Sequence, residues 1–564
     1  MKAKTLYLTA ALGMMLGFSS CDLSYYPSDE QSSDVILQEA GSTIMDGCYS
    51  LMKDEVDYLG WPSGNSYCRH LFQMSEFPAD NICLSGKSTD PLFQATTYTM
   101  TDNLQNVGTL WMLGYKIIYM TNTLIEGLDP NKADDKQILG EAYFVRALVH
   151  LNMVTLFAKP YSFGRNNLGV PLDTVSLVQD IKRNQVGEVY DQIVADLQKA
   201  ASLMGSSRGN AGYPSKDAAL GLLSRVYLYM EKYDECIDIV NTMLNGADPA
   251  SKLDANLAAY FANAKTSQET LFCIAHEVTE DKGQSSIGSM YNGDGGGWGE
   301  IYPSFPLLNL YERYPEDLRY TSFIKAQYPE EGASAKLKVF IPRGTSGSEE
   351  KRDLQTFDAK VDEETGEYYF SEKGTKSTIE KSTIQGEYYE YHVNYKDEDR
   401  TVRIIPGNIL KRSPGNYPKY FITKFGYQDG SPTLSSPVVL RWGEVILNAA
   451  EAYARKATVA DDIKALEYVN TIRTRAGIPA EGLFASDKMH GYASVIDVVM
   501  DERRLELAFE GHRMFDVYRN AQSMDRRYPG LQLWKEVKCG EPHIQYPIPY
   551  AEWTVSHIEQ NPGY

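Results

Sequence analysis

Three glutamates, Glu502, Glu506 and Glu510, recur at four-residue steps near the C-terminus, which puts them on one face of a helix. Paired carboxylates are the machinery of glycoside hydrolysis, but that chemistry needs two groups facing each other across a sugar. A stripe along one helix does not supply this. Arg503, Arg504 and Arg513 lie within reach as ion-pair partners, so the spacing predicts a structural network. The eight histidines form no His-Glu-x-x-His motif, and no Gly-x-Ser-x-Gly elbow occurs. The run Gly293-Asp294-Gly295-Gly296-Gly297-Trp298-Gly299 is rich in glycine, yet its spacing is wrong for a phosphate loop. Asn292 and Asp294 suit a calcium loop, but the further acidic ligands are missing. No cofactor, no metal and no enzymatic activity is expected.

The elements around these residues are mainly helical. Apolar positions at spacings of three and four mark helices over 109–128 and 138–157, each stopped by a proline, Pro130 and Pro160. Ser215 is placed to cap a helix through Met230, and a second follows the break at 231–234 and ends near Gly246. Further helices are predicted over 438–456, 461–476 and 494–518, with Gly477 ending the second and Ser494 capping the third. These are read as degenerate, tetratricopeptide-like helical hairpins, about 105–246 and 437–520, that need one another to bury their apolar faces. Between them, about 250–435 is an irregular insertion rich in Gly, Pro and Tyr, with Tyr368 to Phe370, Tyr388 to Tyr395 and Val402 to Ile405 as short strands.

Lys2 and Lys4 precede an apolar run from Leu6 to Phe18, a signal peptide over 1–20 too short for a membrane span. Small residues before Cys21 form a lipobox, with cleavage ahead of Cys21 and lipid on its thiol. Residues 21–33 read as a tether, and 34–564 as a single body. With 55 basic against 75 acidic residues the formal charge is −20, which argues against nucleic acid. The other cysteines are scattered without zinc-type spacing.

A set of motifs then recurs in order along the chain. These are the lipobox and Gly140-Glu141-Ala142-Tyr143-Phe144-Val145-Arg146-Ala147, followed by Leu440-Arg441-Trp442-Gly443-Glu444-Val445 and Glu451-Ala452-Tyr453. Next come Asn470-Thr471-Ile472-Arg473-Thr474-Arg475-Ala476-Gly477 and residues 501–513, which hold the glutamate stripe. The ending runs from Tyr546-Pro547-Ile548-Pro549 to Gln560-Asn561-Pro562-Gly563-Tyr564. The ordered set resembles the SusD/RagB family of Bacteroidetes. The resemblance implies a lipid-anchored outer-membrane protein exposed at the cell surface. Its partner would be a SusC-like, TonB-dependent barrel, to which it delivers an oligosaccharide or polysaccharide. Some members capture peptides instead.

The family's ligand loops vary, so site residues are sought by chemistry. A sugar needs a flat apolar face for its ring and polar groups for its hydroxyls. Segment 289–302 supplies Tyr291, Trp298 and Tyr302 among Asn292, Asp294 and Glu300, with glycines that open the loop. A second candidate is the early region with Trp61, Tyr67, Asp80, Asn81 and Phe93, beside Lys87 and Asp90. Trp111 and Trp442 fall in helical stripes and are assigned to the core.

Overall fold

The computed structural model describes residues 33–564 apart from 62, 85–89, 178–180, 315, 327–336, 343–353, 385–387, 407–419 and 529–535. The signal segment, Cys21, the tether up to residue 32, and Lys87 lie outside the described residues.

Eleven of its helices carry the argument. In chain order they are α1 (Ser33–Lys53), α2 (Tyr67–Glu76), α3 (Gln105–Gly127), α4 (Ala133–Phe157), α5 (Val186–Leu203) and α6 (Lys216–Tyr229). They continue as α7 (Tyr233–Leu244), α8 (Trp442–Lys456), α9 (Val459–Arg475), α10 (Val495–Glu506) and α11 (Arg513–Arg519). From α3 to α7 each helix packs on the next, as hairpin repeats require. The expected stripes face inward: Leu110, Leu113, Ile117 and Leu124 of α3 are buried, as are Ala142, Val145, Val149, Met153 and Leu156 of α4. Trp111 and Trp442 are core residues. Ser215 caps α6 by accepting the Ala218 N–H, and Ser494 caps α10 by accepting that of Asp497. Helix α5 carries a capping box through Gln185 and Glu188.

The two blocks of repeats, far apart in sequence, become one scaffold because α7 packs on α8. Asn448 of α8 donates to Ser224 Oγ at 3.1 Å, and Arg225 of α6 forms a bidentate pair with Glu444 at 2.6 Å. Strand Thr270–Cys273 pairs antiparallel with Val438–Arg441, closing the base of the insertion.

Three expectations need correction. The helix predicted over 438–456 begins only at Trp442, because Val438–Arg441 is taken up by the strand pairing with Thr270–Cys273. The helix predicted over 494–518 is broken into α10 and α11, because Phe509 and Gly511 take φ of 70° and 78°. The insertion is also less irregular than its composition suggests. It holds a seven-stranded antiparallel sheet of β1 (Leu337–Pro342), β2 (Leu354–Asp358), β3 (Lys360–Val361), β4 (Tyr368–Glu372), β5 (Thr375–Ile384), β6 (Tyr388–Tyr395) and β7 (Glu398–Pro406). Its spatial order is β2-β1-β7-β6-β5-β4-β3. The sheet rolls, so that Phe357 of β2 stacks on Phe370 of β4 at 4.5 Å. Alternate residues Val339 and Ile341, and Val393 and Tyr395, point into a small separate core. Arg403 ties the sheet to the body through Glu312 and Asn309.

Candidate functional site

The glutamate stripe is buried in ion pairs. Glu502 and Glu506 end α10, while Glu510 sits in the turn after it. Arg441 donates to Glu506 at 2.7 Å, to Glu269 at 2.8 Å and to Glu510 at 2.8 and 2.9 Å. Arg473 and Arg319 hold Glu502, Arg475 also binds Glu506, and Lys424 holds Glu510 at 2.6 Å. Lys424 and Arg441 cap the open carbonyls at the end of α10, donating to Glu506 O at 3.1 and 2.8 Å. Burial alone would raise the Glu510 carboxyl, but Arg441 and Lys424 outweigh it and bring it down to about 2. Glu506 is likewise held well below the carboxylate range by Arg475 and Arg441 against its burial. Carboxylates locked in the charged form are poor general acids, so the network serves structure.

Segment 289–302 separates into an inner and an outer part. Tyr291 is buried, stacked on Phe425 at 5.5 Å, with its hydroxyl unpartnered. Tyr302 is buried in strand Ile301–Pro303, which pairs with Ile82–Leu84. Both tyrosines are therefore core residues, a correction to their expected place at the ligand face. The chain then turns outward. Trp298 is 52% exposed, and its indole N–H donates to Gln284 O at 3.0 Å. That bond fixes the ring edge and leaves aromatic surface open. Gly297 permits this fold, since a Cβ there would meet Asn292 O at 2.0 Å.

Asn292 is buried and organises the loop: its Oδ1 accepts the Asp294 N–H at 3.0 Å, and its Nδ2 donates to Tyr427 Oη at 3.1 Å. Tyr427 donates to Asp294 at 2.6 Å, and Lys325 reaches the same carboxylate oxygen at 3.3 Å. Burial and the bond to Asp294 raise the Tyr427 phenol. Tyr427 and Asp429 have φ of 65° and 51°, a costly backbone for non-glycine residues. The turn is held by Gln428, which donates to His276 O at 2.7 Å and accepts from Ser436 Oγ at 2.8 Å. Next to this cluster lies an open groove of about 580 Å³, lined by Phe261, Tyr320, Ser322, Lys325, Thr423 and Tyr427. Lys325 and Tyr427 were not singled out in the sequence; the turn dipeptide Asp429-Gly430 was the only local sign.

The early region contributes less than its composition suggests. Tyr67 is buried and accepts from Asn152 at 2.9 Å. Asp80 is buried and forked by Arg513 at 2.7 and 3.0 Å; Arg504 and Arg513 bring its carboxyl down to about 2 despite burial. Asn81 is buried and accepts from Arg504 at 2.9 Å. These three are structural, which corrects their expected ligand role: each is buried with a side-chain oxygen bonded inside the protein. Phe93 is half-buried against the core. Trp61 alone stays well exposed, at 61%, on a tight turn closed by paired bonds between Tyr58 and Trp61, with positive φ at Leu59 and Gly60. Arg69 links the two candidate regions, bonding Gly64 O, Asp90 and Met290 Sδ.

Among the described residues no cluster of three or more His, Cys, Asp or Glu is placed to hold a metal ion, and no helix is long and apolar enough to cross a membrane.

Comparison with known proteins agrees with this architecture. The family model described as the SusD family matches residues 261–564, and one described as starch-binding associating with outer membrane matches residues 70–228. SusD-like protein P2 of Formosa agariphila is 24% identical over 500 residues, covering 84% of this chain and 83% of that protein. A SusD superfamily protein of Bacteroides thetaiotaomicron superposes with a TM-score of 0.69 at 21% identity, over 93% of this chain and 99% of the other. One of Bacteroides vulgatus gives 0.67 at 23% identity, over 93% and 99%. A laminarin-binding SusD-like protein gives 0.60 at 20% identity, over 93% and 99%. The SusD match spans more than half of the sequence and contains the buried glutamate network, and the chain belongs to the SusD family.

Proposed function

We propose that this chain is a lipid-anchored protein of the outer cell surface that captures a glycan and passes it to a SusC-like, TonB-dependent transporter. The observation that carries the reading is Trp298, a half-exposed indole pinned at its edge on the same loop as Asp294, whose carboxylate is held by Tyr427 and Lys325 of an open groove. An aromatic face with convergent hydroxyl-binding groups is what a pyranose needs. The laminarin-binding relative and the starch-binding description of the second family match support a carbohydrate ligand. Lipid on Cys21 would supply the anchor. For the transporter, Met112 and Tyr119 of α3, with Val175, Leu177, Tyr550 and Trp553, give exposed apolar surface of the kind a partner covers. Asn122, near the end of α3, donates to Val175 O at 3.0 Å, and Trp553 donates to Asp102, just ahead of α3, at 2.8 Å, which ties these residues to the two ends of that helix.

The test is calorimetric titration of the lipid-free chain beginning after Cys21 with pooled plant, fungal and host oligosaccharides. Saturable heat is expected with one pool, and Trp298→Ala should weaken it at least about tenfold. About half of the indole is buried, so the same variant should melt only ~3 °C lower. Unchanged affinity with a much larger fall in melting temperature would make Trp298 an anchor and refute its role. Silence toward every pool, with heat from peptides, would transfer the site to peptide capture.

A further inference from the structure

The described cations around the Trp298 loop are committed to carboxylates. Lys325 pairs with Asp294 at 3.3 Å, Lys282 with Asp54 at 3.4 Å, Lys53 with Glu280 at 2.7 Å and Arg69 with Asp90 at 2.8 Å. Beyond these pairs the groove offers hydroxyls, from Tyr427, Ser322 and Thr423, and aromatic surface from Phe261 and Tyr320. The whole chain adds a formal charge of −20. A uronate or sulfate entering here would leave water without gaining a cation of its own, and would approach the Asp294 carboxylate. Sugar hydroxyls meet no such penalty, because they donate to carboxylates and exchange bonds with phenols and alcohols.

We propose that the Trp298 site selects uncharged glycans, and that Asp294 sets this selectivity by neutralising Lys325 at the mouth of the groove. This rests on the glycan-capture reading above. Tyr427 matters to the arrangement because its donated bond, at 2.6 Å, holds Asp294 in place. With Asp294 held between Tyr427 and Lys325, the ammonium is screened from an incoming anion at short range.

The experiment compares neutral glucan oligosaccharides with uronate-bearing and sulfated oligosaccharides of matched length, by calorimetry at low and at 0.5 M salt, for the native chain and Asp294→Asn. Asparagine still accepts the Tyr427 hydroxyl but removes the negative charge that faces Lys325. The native protein should bind a neutral series and bind the anionic series at least about tenfold more weakly. Asp294→Asn should strengthen anionic binding about three- to tenfold at low salt, with most of the gain gone at 0.5 M. A native preference for anionic ligands, or an Asp294→Asn variant that gains nothing, overturns the selectivity proposal while glycan capture stands. Silence of the native chain toward both series overturns the capture reading, and this proposal with it.

Discussion

Glu76, the last residue of α2, is fully buried close to Tyr291 of the 289–302 segment, and its carboxyl should set a measurable pH dependence. Oε2 accepts the Gly511 N–H at 2.9 Å, the Asn81 amide also favours the charged carboxyl, and the nearby Tyr291 hydroxyl has no hydrogen-bond partner. Burial pushes the carboxyl up from 4.5 to about 7, opposed by the Gly511 N–H and the charge of Lys424. The folded pKa lies above the unfolded value, so the folded state holds the proton more tightly. This contribution to stability is complete below pH 4.5 and is lost as the pH rises through about 7. At about 1.4 kcal/mol per pH unit the gap amounts to ~3 kcal/mol at pH 8. Glu76→Gln stays neutral, still accepts from Gly511, and brings an amide donor toward the Tyr291 oxygen. It should therefore stabilise the protein at pH 8 by up to ~3 kcal/mol, less the attraction to Lys424 that it gives up. An unfolding entropy of roughly 2 cal/mol/K per residue converts this into a rise of about 1–3 °C in melting temperature for a chain of this length. Scanning calorimetry of both proteins at pH 4.5 and pH 8 is the assay, with the two curves nearly coincident at the lower pH. A variant that melts below the native protein at pH 8, or shifts equally at both pH values, would refute the argument.

Two further substitutions separate scaffold from site. Tyr291→Phe removes a buried, unpartnered hydroxyl and should leave melting unchanged or raise it by about 1 °C, with glycan titration unaltered; lost binding would return Tyr291 to the ligand face. Glu506→Gln leaves Arg441, Arg475 and Arg319 short of one buried negative charge and should cost ~3–5 kcal/mol, read as a lower denaturant midpoint; a near-neutral result would mean that the network relaxes around the loss.

Local order was legible in the sequence because it is written at short range. The stripes of α3, α4, α6 and α8 and the caps Ser215 and Ser494 follow from spacings of three and four residues. The ordered motifs led to the family, and the ion-pair fate of Glu502, Glu506 and Glu510 was legible in their spacing, but not their partners: Arg503 pairs with Asp516 and Glu451, Arg504 and Arg513 with Asp80, while Arg441, Arg319 and Lys424 reach the stripe from distant segments. What the sequence left open is what depends on contacts across long separations. Composition put Tyr291, Trp298 and Tyr302 on one candidate loop with Trp298 foremost, and of the three only Trp298 keeps an open face, because Phe425 and the strand Ile82–Leu84 cover the other two. Asp80 and Asn81 looked like ligand groups until Arg504 and Arg513, more than 400 residues away, claimed them. The seven-stranded sheet likewise hangs on pairing between segments with weak individual signals, such as Phe340 with Arg403. Helices carry their hydrogen bonds within one segment, so a sequence declares them. A cluster such as Asp294, Lys325 and Tyr427, with separations of 31 and 133 residues, exists only once the chain has folded.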